Sequence, residues 1–256
     1  DGYWNGAVAT ALKFGFELEE FACDGGLPPD RLQRVLYARG ITGILLPPHP
    51  VSPDWGDFNW SEFSVVRFGY SCRTPEVQVV TSDEVRNAML AMRHIRSLRY
   101  KRIGLVIGEV TEDRGGLIRA GFYAGHSEAE LKQRLPVLII AHSKALTGPR
   151  PELSIWLETY RPEAILTDQA AILKMLNEVG WRVPQDVGVV SCSVPGGDAD
   201  AGINQNAEEI GRAAVAALIS AINEGKRGMP ETMSQVLIGG SWVDGASLPG
   251  LGTTKS

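Results

Sequence analysis

The sequence predicts an α/β protein whose helices cover buried, mainly parallel sheets. Two observations lead to this fold class. The apolar segments are short and nearly continuous rather than alternating with polar residues, which is typical of strands buried on both faces. Segments of helical periodicity lie between them along most of the 256 residues, and this regular alternation of strand and helix favours parallel sheets.

Each expected strand is an apolar run bounded by glycine, proline or charged residues. The runs are Ile44–Leu46, Val77–Val80, Ile103–Ile107, Val137–Ile140, Ala164–Leu166, Val187–Val190 and Val236–Ile238. Before them the chain opens with an expected helix, Tyr3–Phe14, and an expected strand, Phe16–Phe21. Because an α/β lobe normally begins with a strand, we expect the first strand of the fold to lie outside this sequence.

Local signals support the expected helices. Thr81–Glu84 has the form of a capping box, Gly180 closes a helix before Pro184, and Gly225 ends a long amphipathic helix. The helical segments lie around Leu32–Leu36, Val85–Ile95, Pro151–Tyr160, Ile172–Leu176 and Asn206–Glu224. A single open sheet with this many strands would be wide for the chain length, so two α/β lobes of similar size are expected.

Composition and charge exclude several classes of protein. Lys plus Arg number 25 against 30 Asp plus Glu, a formal net charge of −5, which is the wrong sign for holding DNA on the chain's own surface. Cys23, Cys72 and Cys192 are far apart, so no disulfide framework is expected and a reducing cytoplasm fits best. No apolar run is long enough to span a membrane, and charged residues near the start disfavour a signal peptide.

No pattern of catalytic residues stands out, so the chain is not expected to be an enzyme. It contains no GxSxG, P-loop, HExxH or GxGxxG motif. His126 and His142 have no second ligand at a metal-binding spacing, and His94 is expected to pack on its helix. Ser241 follows an expected strand instead of opening a helix, unlike a nucleophile turn. We predict no catalytic residue, no metal and no cofactor.

Polar residues gather where the expected strands end. In open parallel sheets, ligands bind outside the carboxyl ends of the strands. Asp168 either caps the helix of residues 172–179 or binds a ligand, and for Asp83, in the first turn of its helix, the favourable dipole outweighs a ligand role. Further candidates at strand ends are Pro47, Pro48, His49, Thr81, Ser82, Thr167, Gln169, Ser191, Cys192 and Ser193.

Three aromatic residues cluster in the loop that follows His49. They are Trp55, Phe58 and Trp60. Two interpretations stay open, since the rings either pack within the loop or form an aromatic wall that stacks on a ligand ring.

A set of segments from about Trp4 to Asp244 has a specific order and spacing. The segments are RGITGILL (39–46), SD (82–83) through HI (94–95) to YKRIG (100–104), GWRVPQDV (180–187), INQ (203–205) and EEIG (208–211). Together they resemble the lactose-repressor (LacI/GalR) family of transcriptional regulators. The resemblance covers nearly the whole chain.

This resemblance implies two doubly wound parallel-sheet lobes of the periplasmic-binding-protein-like type, joined by crossing strands and assembled as a homodimer. It assigns residues 1–81 and 203–226 to an amino-terminal lobe, 82–202 and 227–249 to a carboxyl-terminal lobe, and 250–256 to a tail. In that family a small-molecule effector binds in the cleft between the lobes. Operator DNA is bound by a preceding helix-turn-helix head, which is absent from this chain.

The resemblance also suggests effector-binding residues, although the chain departs from the usual pattern. The family's common Arg before the Gly121-Phe122 pair is Ile118 here, with Arg119 or Arg114 as a substitute out of register. Its Asn-Asp after a strand is Thr167-Asp168, and its later pair of acids is Ser193-Val194. The predicted effector-binding residues are Asp168, Thr167, Ser193, Arg119, Asp83, Pro48, His49 and Trp55.

The expected function is the ligand-sensing domain of a cytoplasmic transcriptional regulator. A sugar or another metabolite would alter the affinity of a dimer for operator DNA. One alternative is a periplasmic solute-binding protein of a sugar transporter, which shares the two-lobed fold. Another is an α/β enzyme that uses Asp168 with a histidine.

Overall fold

The computed structural model describes residues 2–21, 28–49, 53–127, 134–141 and 150–251. The chain forms two compact units. The first unit comprises Asp1–Ser82 and Asn206–Ile238, and the second comprises Asp83–Gln205 and Gly239–Ser256. Each unit contains a mainly parallel sheet packed against helices, which confirms the predicted α/β fold class.

The sheet of the first unit has four strands in the order β1-β2-β3-β9. They are the parallel strands β1 (Gly43–Leu46), β2 (Ser64–Phe68), β3 (Gln78–Ser82) and β9 (Gln235–Ile238). Every residue of the inner strand β2 is buried. Because the strands are parallel, the segments that follow β1 and β2 begin at the same edge of the sheet.

Helices cover both faces of this sheet. They are α1 (Gly2–Lys13), α2 (Pro29–Ala38) and α8 (Ala207–Asn223). Ile210 and Leu218 of α8 pack with Val66 of β2. The preceding residue of β2, Val65, points to the opposite face of the sheet and packs with the apolar residues of α2. Gly211 lets α1 approach α8 closely, because a Cβ there would lie 2.1 Å from the carbonyl oxygen of Tyr3.

The sheet of the second unit has six strands in the order β10-β8-β7-β6-β4-β5. The strands are β4 (Ile103–Gly108), β5 (Leu138–Ile140), β6 (Ala164–Thr167), β7 (Gly188–Ser191), β8 (Gly202–Asn204) and β10 (Ser241–Val243). β10 pairs antiparallel with β8, whereas the other paired strands are parallel.

Helices also bury both faces of the second sheet. They are α3 (Glu84–Ser97), α4 (Glu109–Asp113), α5 (Leu117–Ala124), α6 (Pro151–Tyr160) and α7 (Ile172–Glu178). Leu105 and Leu166 pack in a cluster with Phe122 of α5. Their neighbours Val106 and Ile165 belong to a second cluster. Successive strand residues therefore face opposite cores, as the continuous apolar runs predicted.

The strand predictions are confirmed for the apolar runs of both sheets and fail elsewhere. The segment Phe16–Phe21 contains no strand. The sequence does not predict β2, β8 or β10. β8 and β10 have three residues each, and β2 contains an arginine, so none of them is a long apolar run.

The boundaries of the two units differ from the lobes assigned in the sequence. β9 lies within residues 227–249, which were assigned to the carboxyl-terminal lobe, but it pairs with β3 in the first unit. Residues 203–205 belong to the second unit, where β8 pairs with β7. Of the predicted tail, residues 252–256 lie outside the described residues. Within the described ranges, no helix has both the length and the apolar character that a bilayer requires.

Candidate functional site

The carboxyl ends of β4, β6 and β7 form one edge of the second sheet. These strands are adjacent and parallel. Gly108 ends β4, while Asp168 and Ser193 follow β6 and β7. The fold therefore brings these residues to the edge at which open α/β sheets bind small ligands.

Asp168 is held at this edge by two hydrogen bonds. Its Oδ1 accepts a bond of 2.9 Å from the backbone N–H of Gly108 and one of 2.7 Å from Nε2 of Gln169. Its Oδ2 makes no hydrogen bond within the described residues. The side chain is thus a half-buried carboxylate with one oxygen fixed and the other available to a hydroxyl donor.

Asp198 caps α7, the helix for which Asp168 was a candidate cap. The carboxylate of Asp198 accepts hydrogen bonds from the backbone N–H groups of Leu173, at 3.0 and 3.1 Å, and Lys174, at 3.2 Å. The residue at the N-cap position of α7, Ala171, has no side-chain acceptor. Of the two interpretations of Asp168, capping is therefore excluded.

Thr167 and Ser193 differ in what they offer to a ligand. Thr167 has no exposed surface, and its Oγ1 accepts a hydrogen bond of 3.0 Å from the N–H of Gln169. It shapes the turn that carries Asp168. Ser193 is half-buried, and its N–H donates to Oγ of Ser191 at 3.1 Å. The hydroxyl of Ser193 makes no hydrogen bond within the described residues, so it can meet a ligand.

A second carboxylate, that of Glu84, is linked to this edge through Gln205. Nε2 of Gln205 donates to Oε1 of Glu84 at 3.1 Å and to the carbonyl oxygen of Cys192 at 3.3 Å. Burial raises the pKa of the Cys192 thiol well above its usual value, and the charges of Asp168 and Glu84 raise it further. The thiol stays protonated at neutral pH and is not a nucleophile.

Two other predicted residues already have partners in the protein. Nη2 of Arg119 pairs with Oε1 of Glu112 at 2.5 Å. Ile118, at the position where the family commonly has an arginine, is buried in the core. Oδ1 of Asp83 accepts a bond of 3.0 Å from the N–H of Arg86 and so caps α3, as its position in the sequence favoured.

The remaining predicted residues lie in the first unit, after β1. Pro48 is exposed, and the N–H of His49 donates to Oγ of Ser71 at 3.1 Å. Trp55 is 8% exposed, its ring lies 5.0 Å from that of Trp60, and its Nε1 donates to the carbonyl oxygen of Thr74 at 3.1 Å. Trp55 therefore packs within its loop and presents no open face for stacking.

The histidines do not support an enzyme that uses Asp168. Asp168 has no histidine partner within the described residues. The ring of His94 stacks on Trp242 at 4.5 Å, and Nδ1 of His126 lies 2.7 Å from the carbonyl oxygen of Phe122. His142 lies outside the described residues. In the described ranges, no three His, Cys, Asp or Glu residues are grouped as a metal site requires.

The chain matches the family model of the periplasmic binding protein-like domain over residues 92–248. It belongs to this family. No curated protein matches it in sequence. The family assignment agrees with two α/β units, each built on its own sheet.

Solved structures of regulators share the fold of this periplasmic binding protein-like domain. A LacI transcriptional regulator from a Rhodococcus species has a TM-score of 0.70 at 18% identity, covering 98% of this chain and 94% of that chain. A LacI family regulator from Enterococcus faecium with bound ribose has a TM-score of 0.68 at 17% identity, covering 98% and 94%. The regulator CelR, in complex with cellobiose, has a TM-score of 0.69 at 18% identity, covering 96% and 78%. The fold is that of the LacI-family regulators, which confirms the resemblance seen in the sequence.

Three edge residues of the domain were not among the predicted effector residues. Gln169 and Gln205 each contact a carboxylate, and Glu84 accepts from Gln205. Gln169 was named among the strand-end candidates because it stands next to Asp168, but it was left out of the predicted effector residues. Gln205 could not be placed, because β8 before it has only three residues. Glu84 was interpreted solely as part of a capping box.

Proposed function

We propose that this chain is the effector-binding domain of a DNA-binding transcriptional regulator, and that its effector is a small molecule rich in hydroxyl groups. The observation that carries the proposal is the carboxylate of Asp168, which Gly108 and Gln169 hold by one oxygen while the other oxygen has no partner in the described residues. Ser193 adds a hydroxyl at the same edge.

A carboxylate oriented in advance suits the recognition of sugar-like hydroxyls. Hydrogen bonds to a charged acceptor are about twice as strong as those between neutral groups. Because backbone and side-chain donors already orient Asp168, binding a ligand costs little further side-chain entropy. Bound ribose and cellobiose in two structures of the same fold support this class of effector.

The proposed output is a change in affinity for operator DNA. The chain would act as a homodimer, with DNA held by helix-turn-helix heads outside these 256 residues. The net charge of −5 supports DNA contacts made elsewhere in the protein. An effector shifts such an equilibrium only by its difference in affinity for the two states.

A thermal-shift screen of sugars tests the binding site. A ligand that binds only the folded state raises the unfolding midpoint, and we expect at least one sugar of a panel that includes ribose and cellobiose to do so. Asp168→Asn should weaken that ligand about tenfold or more, since it removes one charged hydrogen bond. Asp186→Asn, at an exposed carboxylate away from the edge, is the matched control. Equal affinity of wild type and Asp168→Asn would refute the proposed site.

DNA binding separates the regulator from a transporter's solute-binding protein. The full-length protein should bind a specific operator with an affinity that the sugar changes, whereas the 256-residue chain should dimerise without specific DNA binding. Gel-shift titrations and analytical ultracentrifugation measure both. Sugar binding without any effect on DNA would leave the site intact and refute the regulator. Chemical turnover of the sugar that is lost in Asp168→Asn would instead identify an enzyme.

A further inference from the structure

Arg67 places a positive charge inside the first unit. It lies in β2, an inner strand of the four-stranded sheet, and only 8% of its surface is exposed. Arginine is rarely buried to this extent without a partner, because removing its charge from water is unfavourable. Its hydrogen bonds therefore need to be accounted for.

Only some of the hydrogen-bond donors of the Arg67 guanidinium have partners in the protein. Within the described residues it makes one hydrogen bond, from Nη1 to the carbonyl oxygen of Cys72. Its Nε is buried and has no partner there. Burial lowers the pKa of Arg67, an effect that the charges of Cys72, Glu76 and Tyr70 oppose, yet Arg67 forms no ion pair with a described carboxylate. A guanidinium offers five N–H donors and stays protonated in proteins.

Arg67 lies near the carboxyl end of β2, at the same end of the sheet as the loop that follows β1. It pairs in register with Leu46, the last residue of β1, which leads into the loop of His49. Nε2 of His49 is also buried without a partner in the described part of the chain. The N–H of His49 donates to Ser71, the residue before Cys72. Arg67 and His49, each with an unpartnered side-chain nitrogen, thus contact consecutive residues of one loop, Arg67 through its side chain and His49 through its backbone N–H.

We propose that Arg67 anchors an oxyanion site in the first unit, which takes a carboxylate, sulfate or phosphate group. Nε and a terminal nitrogen of a guanidinium form a planar fork that matches two oxygens of such a group. An oxyanion would supply both the acceptor that Nε lacks and the counter-charge that the described residues do not provide. A water molecule would satisfy the hydrogen bond but leave the charge uncompensated. This site does not depend on an effector being bound at Asp168.

The test is a thermal titration of the full 256-residue chain with millimolar inorganic phosphate, and separately with glucuronate and its neutral partner glucose. Phosphate or glucuronate should raise the midpoint of wild type by roughly 3–5 °C at about ten times its dissociation constant. Glucuronate alone would show that the oxyanion is carried by a sugar acid, and phosphate alone that it is a free ion. No saturable rise with either would overturn the proposal, whether or not a sugar binds at Asp168.

Arg67→Met separates a binding role from a structural one. Methionine fills similar space without charge, so this variant should unfold at the same or a higher midpoint than wild type in the absence of oxyanions, and the rise on adding them should disappear. The proposal would be overturned if oxyanions raised the unfolding midpoint of Arg67→Met as much as that of wild type. It would also be overturned if the midpoint of Arg67→Met lay below that of wild type by the same amount with and without the ion. Arg67→Lys keeps the charge without the fork and should retain a smaller rise. If Arg67→Met does not fold, the NMR signal of Arg67 Nε–H in wild type decides, since a bound oxyanion must shift it.

Discussion

The side chains at the carboxyl ends of the strands differ between the two sheets in their charge and in how many of them have hydrogen-bond partners. In the second unit, Asp168 and Glu84 present carboxylates that internal donors from Gly108, Gln169 and Gln205 already hold in place. In the first unit, Arg67 and His49 present buried nitrogens without partners among the described residues. Carboxylate oxygens accept hydrogen bonds and guanidinium nitrogens donate them. The two proposed ligands differ accordingly, a hydroxyl-rich effector at Asp168 and an oxyanion at Arg67.

The largest expected effect tests whether the two units differ only at their strand ends and have equally well packed cores. Phe63 in the first unit is 1% exposed and Phe122 in the second unit is 0% exposed, so both side chains are buried. Replacing either with alanine should lower the free energy of unfolding by about 3–5 kcal/mol, measured by urea denaturation. Phe14→Ala, at an exposed residue, should change it by less than about 0.5 kcal/mol. A small loss at only one of the two buried sites would mean that the cores differ as well.

An intermediate effect distinguishes the two carboxylates at the edge of the second unit. Asp198→Ala removes the cap of α7 and should cost about 1 kcal/mol of stability with little change in sugar affinity. Asp168→Asn, which keeps its acceptor oxygen, should stay within a few tenths of a kcal/mol in stability while losing affinity. Urea denaturation and calorimetric titration measure the two quantities. The opposite pattern would make Asp198 the ligand residue.

The smallest expected effect concerns Asp186, an acid of the second unit that lies away from the carboxyl ends of the strands. Arg182 donates two side-chain hydrogen bonds of 2.8 Å to Asp186 and holds the pKa of that carboxyl at about 2. The folded pKa lies below the ordinary value of about 3.9. The interaction therefore stabilises the protein fully above about pH 3.9, and this stabilisation is lost as the pH falls through about 2. An NMR titration of the Asp186 carboxyl should show this midpoint, and Arg182→Leu should return it toward the ordinary value. An unchanged midpoint in that variant would contradict the assigned cause.

The strands show what local pattern can and cannot predict. Continuous apolar runs such as Ile103–Ile107 were predicted correctly, because a strand buried on both faces has no polar side. β2 was missed, since Arg67 interrupts its apolar run and a sequence cannot tell that this charge is buried. Phe16–Phe21 has a strand-like pattern but no described strand beside it. A strand exists only where a neighbour supplies hydrogen bonds.

The placement of the candidate residues could be predicted, and their role stays a prediction. Polar residues after apolar runs indicated that Asp168 and Ser193 lie at the carboxyl ends of β6 and β7, because parallel strands end at one edge. Whether Asp168 or another acid caps α7 could not be read from spacing. The capping residue Asp198 is 25 positions from the N–H of Leu173 that it binds, and distances of that kind depend on tertiary folding.

The alternation of helices with the long apolar strands, the burial of both sheet faces and the place of the polar edge residues follow from the sequence, because hydrophobic periodicity and strand ends are local properties. The tertiary structure alone decided which acid caps a helix, which one has an oxygen without a partner in the described residues, and that Arg67 lies inside a sheet. These depend on contacts between distant segments, and the energy of a charged group is set by the partners and water that such contacts leave to it.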